Sequence, residues 1–217
     1  MFDVAVLADY KQEFIDGFFV TLSASVLALG LSLAIGTFIA VLRLSGVRPL
    51  EILGTAYVEF FRNTPIVIQV FLFAIGLPTL GIRFSEFTSG VLGLSIYTGA
   101  FIAEALRAGI QSVPKGQMEA ARSSGMSYVQ AMRYVILPQA FKLVIPPLGN
   151  QFVNLVKNSS VLAIIAGGDL LYTADRVSSD TFEVALVYGF VALLYLVITL
   201  PLSLGVNWLE RRLSKNH

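Results

Sequence analysis

Charged residues punctuate this chain, and the gaps between them are long and apolar. Positions 17–42 carry no charge, and neither do 63–82. A third run, 87–103, is slightly short and continues past Glu104. A fourth, 143–156, is interrupted by Lys157 and resumes through 168. A fifth covers 184–209. A helix needs about 20 residues to cross the hydrocarbon core, with roughly 17–25 tolerated. The pattern therefore predicts five membrane helices, over approximately 17–43, 57–78, 87–110, 143–166 and 184–209. The third and fourth reach that length only if Glu104 and Lys157 lie inside the membrane. Prolines mark boundaries: Pro49 between the first two spans, Pro78 ending the second, Pro114 ending the third. Gly30, Gly36, Ser23, Ser25 and Ser32 give the first span the small side chains that let helices approach closely in lipid.

Composition agrees with this reading. The apolar fraction is 56% and the charged fraction 13%, against about 25% charged in a soluble domain. A soluble domain of 217 residues cannot hide that much apolar surface, whereas a bilayer is itself an apolar solvent. The chain is expected to be one all-α transmembrane domain over 1–217. It has no cysteine, which excludes disulfides, thiolate metal sites and cysteine nucleophiles. Its single histidine is His217, the last residue. A membrane enzyme would need a buried nucleophile, an acid–base pair or a metal cluster, and no such motif is present. No catalytic or metal site is expected, and the net charge of +1 argues for no nucleic-acid partner.

Lysine and arginine set the orientation, because cytoplasmic loops carry their excess. With the N-terminus outside, the cytoplasmic side holds Arg43, Arg48, Arg62, Arg107 and Lys115, and also Arg122, Arg133, Lys142, Arg211, Arg212 and Lys215. The outside then holds only Lys11, Arg83 and Arg176. The outer segment 169–183 is acidic, which agrees. Residues 1–16 carry Asp3, Asp9, Glu13 and Asp16 against Lys11 alone, unlike the basic start of a cleaved signal peptide.

The longest polar stretch, 112–142, is also the most basic. Residues 117–124 favour a helix. Gly125 can end it in a left-handed conformation, and Ser127 can cap a second short helix. Pro138 then ends the unit. The expectation is a helix–turn–helix on the cytoplasmic face, whose Ala120, Ala121, Met126, Val129 and Met132 offer apolar surface to a partner's groove. A basic loop that only anchors to anionic lipid is the plainer alternative.

Glu119-Ala120-Ala121, three residues, Gly125, nine residues, then Val135-Ile136-Leu137-Pro138 resembles the EAA loop of ABC importer permeases. Val135 replaces the isoleucine of that pattern. The segments Arg62-Asn63-Thr64-Pro65, Glu104 to Ile110, Leu148-Gly149-Asn150 and Val156 to Ser160 resemble the polar amino acid branch, nearest to glutamate/glutamine permeases. Leu209-Glu210-Arg211-Arg212 also fits. The resemblance covers nearly the whole chain.

This resemblance implies a type I ABC importer permease fold, in a bacterial cytoplasmic (inner) membrane. It implies a second permease, identical or paralogous, two cytoplasmic ATPase subunits and an extracytoplasmic substrate-binding protein. ATP and Mg would be bound by the ATPase, since this chain has no phosphate-cradling Gly-x-x-x-x-Gly-Lys-Ser/Thr loop and no cofactor of its own. Glu119, Ala120, Ala121, Gly125 and Pro138 would form the ATPase-coupling site.

Substrate-binding candidates are Arg62, Gln69, Tyr97, Glu104, Asn154, Lys157, Asn158 and Ser159. Ionisable groups in the bilayer cost free energy and face protein or water. Asn150, Asn154 and Asn158 recur at four-residue steps and line one helix face. Tyr97, Phe101 and Glu104 share another. Arg62 or Lys157 suits a substrate carboxylate, and Glu104 an ammonium. The alternatives are a structural pair of Glu104 with Lys157 or Arg107, asparagines acting as helix–helix glue, and Arg62 reaching to the interface. A permease for another small polar solute or a basic amino acid, and an ATP-independent channel or secondary transporter, are the competing functions.

Overall fold

A computed structural model describes residues 3–214, so Lys215 and His217 lie outside the described residues. Helix α1 (Ala5–Asp9) leads into α2 (Lys11–Arg43), followed by α3 (Arg48–Asn63), α4 (Ile66–Phe71) and α5 (Leu77–Thr79). Then come α6 (Glu86–Gln111), α7 (Lys115–Ser123), α8 (Tyr128–Ala131), α9 (Leu137–Asn158), α10 (Leu170–Thr181) and α11 (Val184–Ser214). A π turn at Leu72–Gly76 joins α4 to α5, a second at Met132–Ile136 joins α8 to α9, and a 3₁₀ stretch, Ser159–Ile165, extends α9. The described residues contain no strand. In lipid this is the expected solution, since a helix satisfies its own backbone.

Among the described residues, three helices are long and apolar enough to cross a membrane alone: α2, α6 and α11. Two bent pairs bring the crossings to five when each pair is counted once. The first pair departs from the expected straight span over 57–78. Residues 57–63 belong to α3, and the chain turns by 107° before α4. Pro65 is the cause. It has no N–H and disfavours helical backbone at the residue before it, and Thr64 is extended at ψ 140°. In the second pair, Tyr128–Ile165 bends by 48° into α10. The acidic segment 169–183 is thus mostly helical, with Asp169 capping α10 through Leu171 N–H at 3.1 Å.

Pro138 does not end the loop unit. The π turn widens the helix where the ring lacks a donor, so α8 runs through into α9, with Pro138 in the first turn of α9. The loop unit and the fourth span are therefore one continuous body.

Helix α6 lies at the centre, against α2 on one side and α9 on the other. A Cβ on Gly36 would lie 2.5 Å from Ile102 Cγ2 and 2.9 Å from the Gly99 carbonyl oxygen, so only glycine permits this approach. Ala24, Ala28, Leu94, Leu155 and Leu162 complete the middle of the core. At the end opposite α7–α8, Phe14, Leu170, Val177 and Val187 pack α10 against α2 and α11. Outward-facing Phe19, Val26, Phe38, Leu193, Val197 and Leu204 are exposed along α2 and α11. In water such a band would be unstable, and in a bilayer it meets its own kind.

Candidate functional site

Two regions carry the polar chemistry. The first is the α7–α8 unit. Gly125 sits at φ +86°. Its N–H donates to Arg122 O at 3.0 Å, and Met126 N–H donates to Ala121 O at 3.2 Å. This pair of bonds is the Schellman arrangement, which closes a helix at a left-handed residue. Ser127 then opens α8 with a capping box. Its hydroxyl accepts from Gln130 N–H, and Gln130 Oε1 accepts from Ser127 N–H at 2.8 Å. Arg122 Nη1 donates to Met126 O at 2.8 Å across the turn. Gln139 Nε2 donates to Gln117 Oε1 at 3.3 Å, tying α7 to α9. Val113, Ile136 and Ala140, with Met118 and Met132 packed on them, form a small core beneath. The turn is therefore fixed at both ends and rigidly attached to α9.

The exposed face of this unit differs from the expected one. Glu119, Ala120 and Val129 are exposed, but Ala121 is buried. Met132 packs inward. At about 3.6 residues per turn, neighbours Ala120 and Ala121 of α7 point about 100° apart, and the second turns inward. Tyr128 and Tyr134, absent from the expected surface, are exposed instead.

The second region surrounds Glu104. Helix α6 rises about 27 Å from Glu86 to Glu104, so this carboxylate lies toward the α7–α8 end of the bundle. Arg43 Nη1 donates to Glu104 Oε2 at 2.5 Å. Arg107 grips the carboxylate twice, Nη2 to Oε1 at 2.6 Å and Nε to Oε2 at 3.2 Å. Arg62 Nη1 stands 4.0 Å from Oε2, and its guanidinium lies over the Phe101 ring at 5.3 Å. One carboxylate thus faces three guanidiniums from α2, α3 and α6, leaving a surplus of positive charge. Arg43 is missing from the sequence-derived candidates. A signal existed: it ends the first charge-free run, at the same end of the bundle as Glu104. Of the expected partners of Glu104, Arg107 is present, and among the described ion pairs Lys157 has no part.

Gln69 is buried and already engaged. Its Nε2 donates to Phe61 O at 2.9 Å, Thr64 O at 3.2 Å and Thr64 Oγ1 at 2.9 Å. The two carbonyls are ones that the Pro65 break leaves without helical partners, and the third acceptor is the Thr64 hydroxyl. Gln69 Oε1 remains buried without a partner. Ser159 is also buried, and its hydroxyl donates to Val156 O at 2.8 Å. Tyr97 packs against Phe101 with centroids 5.0 Å apart and the rings tilted by 50°.

Asn150, Asn154 and Lys157 form an exposed polar stripe on α9, with Asn158 half-buried at its end. Val144 touches Gly109 of α6. Lys157 lies about 20 Å further along α9, well inside the span. The structure therefore brings Arg62, Tyr97, Phe101 and Glu104 together, leaves Asn150, Asn154 and Lys157 exposed along α9, and gives the Gln69 amide and the Ser159 hydroxyl local acceptors.

The family model for the binding-protein-dependent transport system inner membrane component matches residues 16–215. The chain is 60% identical over 215 residues to a Bacillus subtilis protein described as probable glutamine ABC transporter permease protein GlnM, covering 99% of this chain and all of that one. It is 39% identical to a chain in a solved amino acid ABC transporter with histidines, at a TM-score of 0.92, over 98% of this chain and 99% of that one. A chain of the MetNI methionine ABC transporter, 18% identical, shares the fold at a TM-score of 0.70 over 97% and 99% of the two chains.

Proposed function

Because the chain belongs to the binding-protein-dependent transport system inner membrane component family, we propose that it is the permease of an ATP-driven importer for glutamine or a closely similar polar amino acid. The single observation that supports the lever in this reading is the continuity of α7, the Gly125 turn, α8 and α9. Two ATPase subunits, binding ATP and Mg, would dock on Glu119, Ala120 and Val129 from the cytoplasm. Closure of that pair would move α9 as a body, and with it Asn150, Asn154 and Lys157. Outward and inward access then alternate as a population shift between two states. The N-terminus lies outside, where a binding protein delivers substrate, and a second permease completes the pathway. The membrane is the bacterial cytoplasmic membrane.

The charge around Glu104 bears on the substrate. Arg43 and Arg107 hold the carboxylate, so Arg62, the most exposed of the three arginines, is the one free to turn toward a substrate carboxylate. A surplus of guanidinium repels a cationic side chain, which favours glutamine over a basic amino acid. A basic amino acid is the second reading, because the solved relative at 39% identity holds histidines.

The test is reconstitution with the ATPase subunits and a glutamine-loaded binding protein in proteoliposomes. Uptake of labelled glutamine should require ATP, and uptake by this chain alone down a gradient would refute the importer reading. Histidine uptake outrunning glutamine would select the second reading.

A further inference from the structure

One cavity lies at the end of the bundle that carries α7 and α8. It is a groove of about 1150 Å³ between the end of α2 and the α7–α8 unit. Val41 of α2 and Leu44 just past its end, Ile110 of α6, Met118 of α7, and Met132 and Ile136 of the π turn line it. Lys115 stands in the lining, and no acidic residue does. The groove is bounded by the ends of two membrane helices, so it opens where the hydrocarbon meets the headgroups. Segment 112–142 beside it carries Lys115, Arg122, Arg133 and Lys142 against Glu119 alone, and exposed Arg48 lies two residues beyond lining Gly46.

We propose that this groove binds an anionic phospholipid, its headgroup on Lys115 and its acyl chains along Val41, Leu44, Ile110 and Ile136. A mostly apolar trough at the ends of the membrane helices, with Lys115 in its lining, matches that one ligand in both parts. Apolar burial supplies affinity for the chains, and juxtamembrane bases favour anionic headgroups by about 1 kcal/mol each. A free amino acid leaves the apolar walls unmatched, and a zwitterionic lipid gains nothing from Lys115. The lipid would lie against α7, α8 and the π turn at once, bracing the unit that carries the coupling surface. The inference rests on the importer reading only for which leaflet supplies the lipid.

The test measures lipid retention on the permease–ATPase complex and on the permease alone. Each is taken from nanodiscs of phosphatidylcholine with an increasing mole fraction of phosphatidylglycerol and weighed by native mass spectrometry. The expected result is one tightly retained phosphatidylglycerol per permease. Lys115→Gln should raise the mole fraction needed by about fivefold, the equivalent of one basic contact. Leu44→Trp should fill the trough and abolish retention. Leu53→Trp, on an exposed site of α3 outside the groove, controls for folding and should retain lipid as the parent does. Equal retention of the two lipids, or unchanged retention in Leu44→Trp, would overturn the proposal. So would loss of the lipid when the ATPase assembles, which would make the groove part of that interface. Because retention is also read on the permease alone, a failed importer reading leaves this result interpretable.

Discussion

Replacing Glu104 by glutamine separates a structural clamp from a substrate ligand. The substitution keeps the shape and removes the charge that faces Arg43, Arg107 and Arg62. The side chain of Arg43 is only 9% exposed, against 26% for Arg107 and 37% for Arg62. Arg43 therefore bears most of the loss. Breaking a buried ion pair by removing one partner costs about 3–5 kcal/mol, because the other charge is left without compensation. Glu104 is 24% exposed, so the lower end, about 3 kcal/mol, is expected. For a chain of this size each kcal/mol moves the thermal midpoint by about 2–4 °C, which predicts a fall of roughly 6–12 °C. The assay is thermal unfolding of the purified permease in detergent, for Glu104→Gln, Arg43→Gln and the double variant. Partners in one ion pair couple, so the double variant should lose less than the sum of the singles by roughly 0.5–3 kcal/mol. An unchanged midpoint together with lost transport would refute the clamp and return Glu104 to the substrate. Strict additivity would refute it too.

Gly125→Ala should impose about 1–2 kcal/mol of left-handed strain, since open space surrounds the site and only backbone conformation is at stake. ATPase stimulation by substrate should weaken, while Gly125→Asn, which tolerates that conformation, should retain most of it. Gln69→Leu should cost about 2–3 kcal/mol by orphaning Phe61 O and Thr64 O, and a midpoint equal to the parent's would show that the brace is dispensable. The absence of native cysteine makes labelling clean. Lys157→Cys and Asn154→Cys should react with a water-soluble maleimide in the assembled transporter, and Val197→Cys should not. Orientation is read the same way in whole cells. Asp180→Cys should label from outside and Arg48→Cys, exposed at the start of α3, only after permeabilisation, and the reverse pattern would overturn the assigned topology.

Much of this protein is written in one dimension. Charge-free length decides which segments suit a bilayer, because the hydrocarbon thickness is a fixed ruler, and α2, α6 and α11 each contain such a run, although α2 and α11 extend past it to 33 and 31 residues. Gly125 and Ser127 are equally legible, because a helix stop and a helix cap are made within a few residues. What the sequence could not decide were consequences of meeting other segments. Pro65 lies inside an apolar run that reads as one straight span, and the bend of 107° there depends on how α3 packs against α2 and α6. Pro138 reads as a stop, and a π turn absorbs it. Gln69 and Ser159 read as polar groups for a substrate, and only the structure shows that the Gln69 amide N–H and the Ser159 hydroxyl donate to local carbonyls. Arg43 and Glu104 are 61 residues apart, and no periodicity links them. Only the packing of α2 on α6, at a contact that glycine alone permits, sets an arginine against that carboxylate. The chain's pattern determined where it meets lipid and how its coupling turn folds. Tertiary structure decided which charges meet, because pairing in a low-dielectric medium depends on distance in space rather than along the chain.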